Sequence, residues 1–582
     1  MLKDCLANFK EKYDEIGENL LIDNYVLAEG SYVLVDETGE IIEILEIDKN
    51  NDDKTGRYYE FAEMDYYSRL VDMNKPIDSN KIIHSNNYLS FFVKKWEINK
   101  ENPDRKLTED MIDDYYEILK NPRIKYKGKD SKDKEKRKMY EAMEEKYGKV
   151  DLILLEKQKN WIKTNLFLLI DSEKVRVNKS YLKIFLKCSM EQYKKESEKY
   201  VIPNIYNNNQ YNVEIDNMTY GLPNDNIGLN SKKPYLENKT RKNSLPYLIS
   251  ADEVTLQKKF FDYLYNNVCE GKTNAYVGNG NVKCLSNDEH MDEKFTGYFL
   301  RIKKGKEVEI HDFDTIVGFD NKIIDLSIDT VIPIDYTKFK GALSEYYGDV
   351  EEIYKLKSLI NNIFFSKFLN NNYFSDPKDI KLNDFRVKEN LLKSRTAFFN
   401  WFYKGDTTII KQIFDKVSME IIKNTICNEY MIKAKEQFNL RCGILSYLIG
   451  GEKMADILNG IASGLREKIN KNETCKIESD NEYYFAVGQI SSYLLSLNKS
   501  SKRMHSLINP ILNCKTDEKL KLQLGMLFKK YNYTIKKENK RFNNFSAMVL
   551  GYKAEGKVND NMLVAGYLYS SLIYESNKEG EN

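Results

Sequence analysis

Residues 221–247, GLPNDNIGLNSKKPYLENKTRKNSLPY, gather side chains whose chemistry suits nucleic-acid recognition. Asn224, Asn226 and Asn230 carry amides that donate and accept at once, as reading a base edge requires. Lys232, Lys233, Lys239, Arg241 and Lys242 are cations that neutralise phosphate, opposed by Asp225 and Glu237 alone. Gly221 and Gly228 have no Cβ, which lets backbone approach a ligand closely. Gly221, Pro223, Gly228, Pro234 and Pro246 interrupt helix and strand alike, so the segment is predicted to be a long structured loop. A polar surface loop with capping asparagines uses the same residue types, and composition alone leaves both readings open.

Other candidates for chemistry are sparse. The four histidines are His84, His290, His311 and His505. His311-Asp312, with Asp314 two residues on, has the form of a metal-dependent phosphohydrolase dyad but lacks a second ligand cluster. Cys269, Cys284 and His290 are weak candidates for a zinc ribbon. Neither cysteine has a CxxC partner, so a metal-free loop is expected and no metal or other cofactor is assigned. Gly278-Asn279-Gly280 reads as a turn, since no strand–GxGxxG–helix context surrounds it. No Walker loop or GxSxG motif is present, and the expectation is a binding protein without catalytic residues.

These groups sit in a chain of 582 residues, too long for one core, and two to four domains are expected. A hydrophobic content of 41% supports real cores, and 31% charged residues at net charge +1 suit a soluble globular protein with no membrane partner. Met1-Leu2-Lys3-Asp4 has no signal-peptide pattern, and the eight scattered cysteines fit a reducing cytosol, so the expected location is cytoplasmic. Between residues 499 and 541 twelve Lys/Arg face three acids, Asp517, Glu518 and Glu538, an electrostatic footprint hidden by the neutral total. A shorter basic run, Lys132, Lys134, Lys136, Arg137 and Lys138, is interleaved with acids and reads as a solvated helix or a disordered insertion.

The elements that must position these groups change character along the chain. Residues 31–36 and 41–47 flank Glu37-Thr38-Gly39 as a hairpin, and residues 298–302 and 308–310 form a second. Ser250 and Glu253 have the spacing of a capping box, followed by Val254, Phe260, Phe261 and Leu264 on one helical face. A rigid helix therefore anchors the C-terminal end of the polar loop. From about residue 341 apolar residues recur three to four apart, and Gly450-Gly451 marks a boundary. The expected fold is α+β: a mixed recognition domain over 1–340, a helical middle over 341–450, and an antiparallel bundle of four or five helices over 451–582.

Three stretches together resemble the large subunit of type I-B CRISPR surveillance complexes (Cascade), the Csh family. They are GLPNDNIGLNSKKPYLENKTRK at 221–242, EFAEMDYYSRLVDMNKPID at 60–78, and FAVGQISSYLLSLNKSSKRMHSLINPIL at 485–512. Members of that family often carry a fuller cysteine cluster near the middle, whereas here only Cys269 and Cys284 stand. The resemblance implies a non-catalytic subunit in antiviral defence that sits at the guide-RNA 5′ handle. Such a subunit reads a short motif beside the target in duplex DNA and promotes R-loop formation. The partners implied are CRISPR RNA, target double-stranded DNA, backbone and handle-binding subunits, a small subunit, and a separate helicase-nuclease.

On that reading the asparagines of the polar loop reach base edges, and its lysines and arginine hold phosphates. A basic stripe of Lys499, Lys502, Arg503, Lys529, Lys530, Lys536, Lys537, Lys540 and Arg541 would line the path of a displaced or target strand. In such systems the small subunit often arises from the 3′ part of the large-subunit gene. Glycine codons begin GG and glutamate codons GA, so Gly450-Gly451-Glu452 before Met454 is encoded by purine-rich message suited to an internal start. Two other functions compete: a metal-dependent nuclease or phosphohydrolase using His311, Asp312 and Asp314, and a helical interaction scaffold without nucleic acid.

Overall fold

A computed structural model describes residues 2–48, 54–99, 102, 106–128, 131–171, 174–176, 178–206, 212–216, 218–223, 248–336, 348–450, 453–473, 475–498 and 504–575. The fold is α+β, with every strand before residue 350 and only helices from Ile353 onward among the described residues. The chain forms two compact units, Met1–Ser286 with Gly297–Thr315, and Asn287–Thr296 with Ile316–Asn582.

The first unit is built on two four-stranded sheets. Strands β1 (Gly30–Val35), β2 (Ile41–Ile47), β3 (Ser90–Lys94) and β4 (Tyr181–Leu186) lie in the order β2-β1-β4-β3. The β1–β2 hairpin closes where Asp36 accepts from the Thr38 and Glu40 amides, each at 2.9 Å, with Gly39 at positive φ. β1 and β4 are parallel, and both are buried nearly throughout. On this sheet Tyr32, Phe61, Phe92 and Phe185 form an aromatic cluster with centroids 5.4–6.3 Å apart. Lys183 projects from β4 into the cluster. Its ammonium donates to Asp65 at 2.6 Å and lies 5.0 Å from the Tyr32 ring centroid, so the buried charge is both paired and stacked.

Much of the 60–78 stretch serves this core. The helix Tyr58–Ser68 buries Phe61, Ala62, Met64, Asp65, Tyr66 and Tyr67. Arg69, just beyond it, pairs with Asp262 at 2.5 Å and stacks on Tyr66.

Three further strands, β5 (Val213–Ile215), β6 (Met218–Gly221) and β7 (Ile249–Ser250), make a small antiparallel sheet. The second four-stranded sheet has the order β11-β10-β8-β9, with β8 Asn274–Gly278, β9 Asn281–Leu285, β10 Phe295–Lys304 and β11 Val308–Phe319. Asn279 and Gly280, both at positive φ, form the two-residue β8–β9 turn. The helices Leu2–Ile16 and Ala251–Cys269 pack together through Phe9 and Phe260, centroids 5.3 Å apart.

The helix Ser131–Tyr147 carries the short basic run, and it is folded and packed. It buries Met139 and Tyr140. Lys136 donates to Asn204 at 3.1 Å, Arg137 to the Tyr126 carbonyl at 3.2 Å, and Lys138 pairs with Glu214. Three of its cations therefore hold the chain to itself.

The second unit is mainly helical, with one short two-stranded sheet, β12 (Ser327–Ile328) against β13 (Gly348–Asp349). Helices Ile353–Ile363, Phe385–Phe399, Thr408–Cys427 and Met431–Ile449 precede Met454–Asn470, Asp480–Ser496, Asp517–Tyr531, Lys540–Gly551 and Asp560–Leu568. The helix Asp480–Ser496 is the hub of the last five and buries thirteen of its seventeen residues. It crosses Asp560–Leu568 so closely that a Cβ on Gly488 would lie 2.4 Å from the Leu563 carbonyl oxygen, and one on Gly566 2.1 Å from that of Phe485. Gln489 seals the crossing, donating to Gly566 O at 2.6 Å and accepting from Leu572 N at 2.9 Å.

Candidate nucleic-acid interface

The polar segment leaves the described structure at a tight neck. Tyr220 pairs with Ser250 and Gly221 with Ile249, so β6 and β7 bring its two ends side by side. Tyr206, fully buried, clamps both arms: its hydroxyl reaches Thr219 O at 2.8 Å and Ile249 O at 3.1 Å. Burial raises the Tyr206 pKa well above that of free tyrosine, so the hydroxyl keeps its proton and its role as donor. Pro223 forms an isolated bridge with Tyr206 on the same side.

Gly221 serves this neck rather than a ligand. A Cβ there would lie 2.6 Å from the Tyr206 ring and 2.6 Å from Asn212 Oδ1. The absent side chain makes room for the clamp, which corrects the reading of Gly221 as a point of ligand approach.

The outgoing arm leads into the helix Ala251–Cys269 through the expected capping box. Ser250 N donates to Glu253 at 3.0 Å and Glu253 N to Ser250 Oγ at 3.3 Å. Val254, Phe260 and Leu264 are buried, and Asn266 donates to Leu21 O at 2.9 Å. Phe261 is partly buried against the same core. Asn224, Asn226, Gly228, Asn230, Lys232, Lys233, Lys239, Arg241 and Lys242 lie outside the described residues.

In the second unit the basic stripe divides. Lys499, Lys502 and Arg503 lie outside the described residues. Arg541 donates to Asn470 Oδ1 at 2.7 Å and to the Glu575 carbonyl, and Lys540 to Asn472. Both tie the start of their helix to the end of Met454–Asn470. Lys529, Lys530, Lys536 and Lys537 are exposed.

The helix Asp517–Tyr531 explains the exposure of its own two lysines. Leu520, Leu524, Leu527 and Tyr531 fill the buried face, so positions 522, 526, 529 and 530 run along the other, and Tyr533 follows in the 3-10 turn Asn532–Thr534. Leu522 is 59% exposed, Met526 54% and Tyr533 71%. Tyr533 stands between the two lysine pairs, and sequence reasoning passed over it. The signal was the spacing of Tyr531 and Tyr533, which sends one ring inward and the other out. An exposed aromatic flanked by lysines suits a single strand, with bases stacking on the ring and phosphates meeting the ammoniums. Lys529 and Lys530 also serve the fold, since cations in a last helical turn oppose the helix dipole.

The remaining candidates do not assemble. His311 and Asp312 are neighbours on β11 and project to opposite faces of the strand. His311 meets Glu309 at 3.5 Å, and Asp314 accepts from the Thr315 amide at 2.9 Å. Cys284 is buried in β9, where burial pushes its thiol up to about 12, and Cys269 closes its helix. Among the described residues no three His, Cys, Asp or Glu side chains are grouped to hold a metal ion. Nor is any described helix long and apolar enough to cross a membrane. Met454 opens the helix Met454–Asn470, with Lys453 at its N-cap.

No protein-family model, curated protein or solved structure matches the chain.

Proposed function

We propose that the chain is the non-catalytic large subunit of a type I-B CRISPR RNA-guided complex. On this reading it recognises the motif beside the target in duplex DNA and promotes R-loop formation. The single observation that carries the proposal is the polar segment, rich in asparagine and lysine, issuing from a neck clamped by Tyr206 and a capped helix. A recognition loop needs that construction, because a rigid base limits the entropy its tip loses on binding. Asparagines then sense base edges and lysines hold phosphates, while guide pairing supplies most of the sequence specificity. The strip Lys529, Lys530, Tyr533, Lys536 and Lys537 receives an unpaired strand.

The test is a gel shift of the assembled complex on duplexes with varied flanking motifs, comparing wild type with Asn226→Ala and Asn230→Ala. The expected outcome is loss of motif preference with nonspecific binding retained. Unchanged preference in both variants contradicts the proposal. The internal start at Met454 belongs to the same reading. Synonymous recoding of Gly450 to Glu452 should abolish a short co-purifying product, and persistence of that product at wild-type level refutes it.

A further inference from the structure

A polar cleft of about 810 Å3 lies in the second unit, and none of the strip residues lines it. Its volume falls within the range of small-molecule sites, roughly 300–1,000 Å3. Its walls come from the helix Thr408–Cys427, from Arg441 on Met431–Ile449, from residues 506–515, and from the start of Asp560–Leu568.

Arg441 is the informative residue. Its side chain is 1% exposed, and one guanidinium nitrogen donates to Asp415. The other two, Nε and Nη1, are buried without a hydrogen-bond partner. A guanidinium always carries its full set of donors, and burying them unmet is unfavourable unless a ligand meets them. Unmet acceptors lie on residues of the same cleft wall. Asp560 takes the Lys423 ammonium on Oδ2 at 2.7 Å, while its Oδ1 is buried and unpartnered, as is Asn561 Oδ1. Lys423 is further held by the Leu512 carbonyl at 2.7 Å, which fixes its position in the wall.

The charge balance narrows the ligand. Five cationic side chains and three carboxylates line the cleft, an excess of two positive charges. A phosphate monoester carries about two negative charges near neutral pH and accepts on three oxygens. The free acceptors on Asp560 and Asn561 require donors on the same molecule, which hydroxyls supply.

We propose that this cleft binds a hydroxylated phosphate monoester of nucleotide size, with its phosphate on Arg441 and its hydroxyls on Asp560 and Asn561. The ligand is either a free sugar phosphate or nucleotide, or the 5′-phosphorylated end of a strand. The site shares no residue with the interface proposed above, and neither proposal stands or falls with the other.

Calorimetric titration of the full chain tests it with ribose 5-phosphate, adenosine 5′-monophosphate, a 5′-phosphorylated tetranucleotide, unphosphorylated ribose and inorganic phosphate. The expected result is that at least one hydroxylated monoester binds tenfold or more tightly than inorganic phosphate, and that ribose does not bind. Arg441→Lys, Asn561→Leu and the exposed Lys515→Glu should each weaken that binding, the first two at least tenfold. Should Arg441→Lys fail to fold, the other two variants carry the comparison. Tighter binding of the tetranucleotide identifies a strand end, and tighter binding of the small molecules a free metabolite. No binding at millimolar ligand, equal affinity for inorganic phosphate, or affinity unchanged by Asn561→Leu and Lys515→Glu overturns the proposal and leaves a cleft that holds only water.

Discussion

Two buried lysines show how single residues set the stability of this chain. Lys183 and Asp65 meet at 2.6 Å with side chains 10% and 2% exposed, and Tyr25 donates to the second carboxylate oxygen at 2.7 Å. Removing one member strands the other charge in an aromatic core. Lys183→Met should therefore cost about 3–5 kcal/mol in urea unfolding, and the double change with Asp65→Leu should recover most of that loss. Equal losses in the single and double variants would contradict this. Lys357 is buried against a backbone carbonyl: its ammonium donates to Asn287 O at 2.6 Å, and burial lowers its pKa from 10.5 to about 8. The folded state then binds fewer protons than the unfolded chain between pH 8 and 10.5, so this group makes stability rise with pH across that window. Relative to Lys357→Met, the wild type should gain about 2 kcal/mol from about pH 8 to 9.5, at roughly 1.4 kcal/mol per pH unit. A gap that stays constant over that interval would refute it.

Among the elements, the crossing of Asp480–Ser496 with Asp560–Leu568 makes the sharpest demand on sequence. Gly488→Ala and Gly566→Ala each push a methyl into backbone and should lower stability by about 1–3 kcal/mol or more, read as a fall in Tm. Gly460, on Met454–Asn470, has nothing within 4 Å of the Cβ it lacks, so Gly460→Ala should stabilise by about 0.5–1 kcal/mol. The opposite ordering would mean the helices cross differently. Local devices were legible in the sequence because their partners are close along the chain. The Ser250–Glu253 capping box spans three residues, and the two hairpins announce themselves by alternation around turn residues. Devices joined across long separations were not. Tyr206 reaches carbonyls 13 and 43 residues away, and the cations of Ser131–Tyr147 find Asn204 and Glu214 more than sixty residues on. A charged helix read without its tertiary partners therefore looks solvated, and Gly221 looks like a point of ligand approach until the Tyr206 ring is placed beside it.

At the scale of the whole molecule, nearly neutral net charge conceals the local fields on which binding would depend. The α+β division followed from periodicity, since alternation in the first half gives way to three-to-four spacing in the second. The exposure of Tyr533 among exposed lysines did not, because it depends on where the helix Asp517–Tyr531 gives way to the 3-10 turn Asn532–Thr534 and on what the core covers there. If that strip holds a strand, replacing Lys529, Lys530, Lys536 and Lys537 with glutamine should flatten the dependence of log K on log salt by about 0.7 for each phosphate no longer neutralised. An unchanged slope would remove the strip from the account. The central claim concerns the asparagine- and lysine-rich segment and duplex DNA, and photocrosslinking probes it most directly. With a photoreactive residue in place of Asn226, and separately of Asn230, in the target-loaded complex, the account predicts adducts to the base pairs flanking the target. Adducts to protein alone, at both positions and with bound target verified, would contradict it.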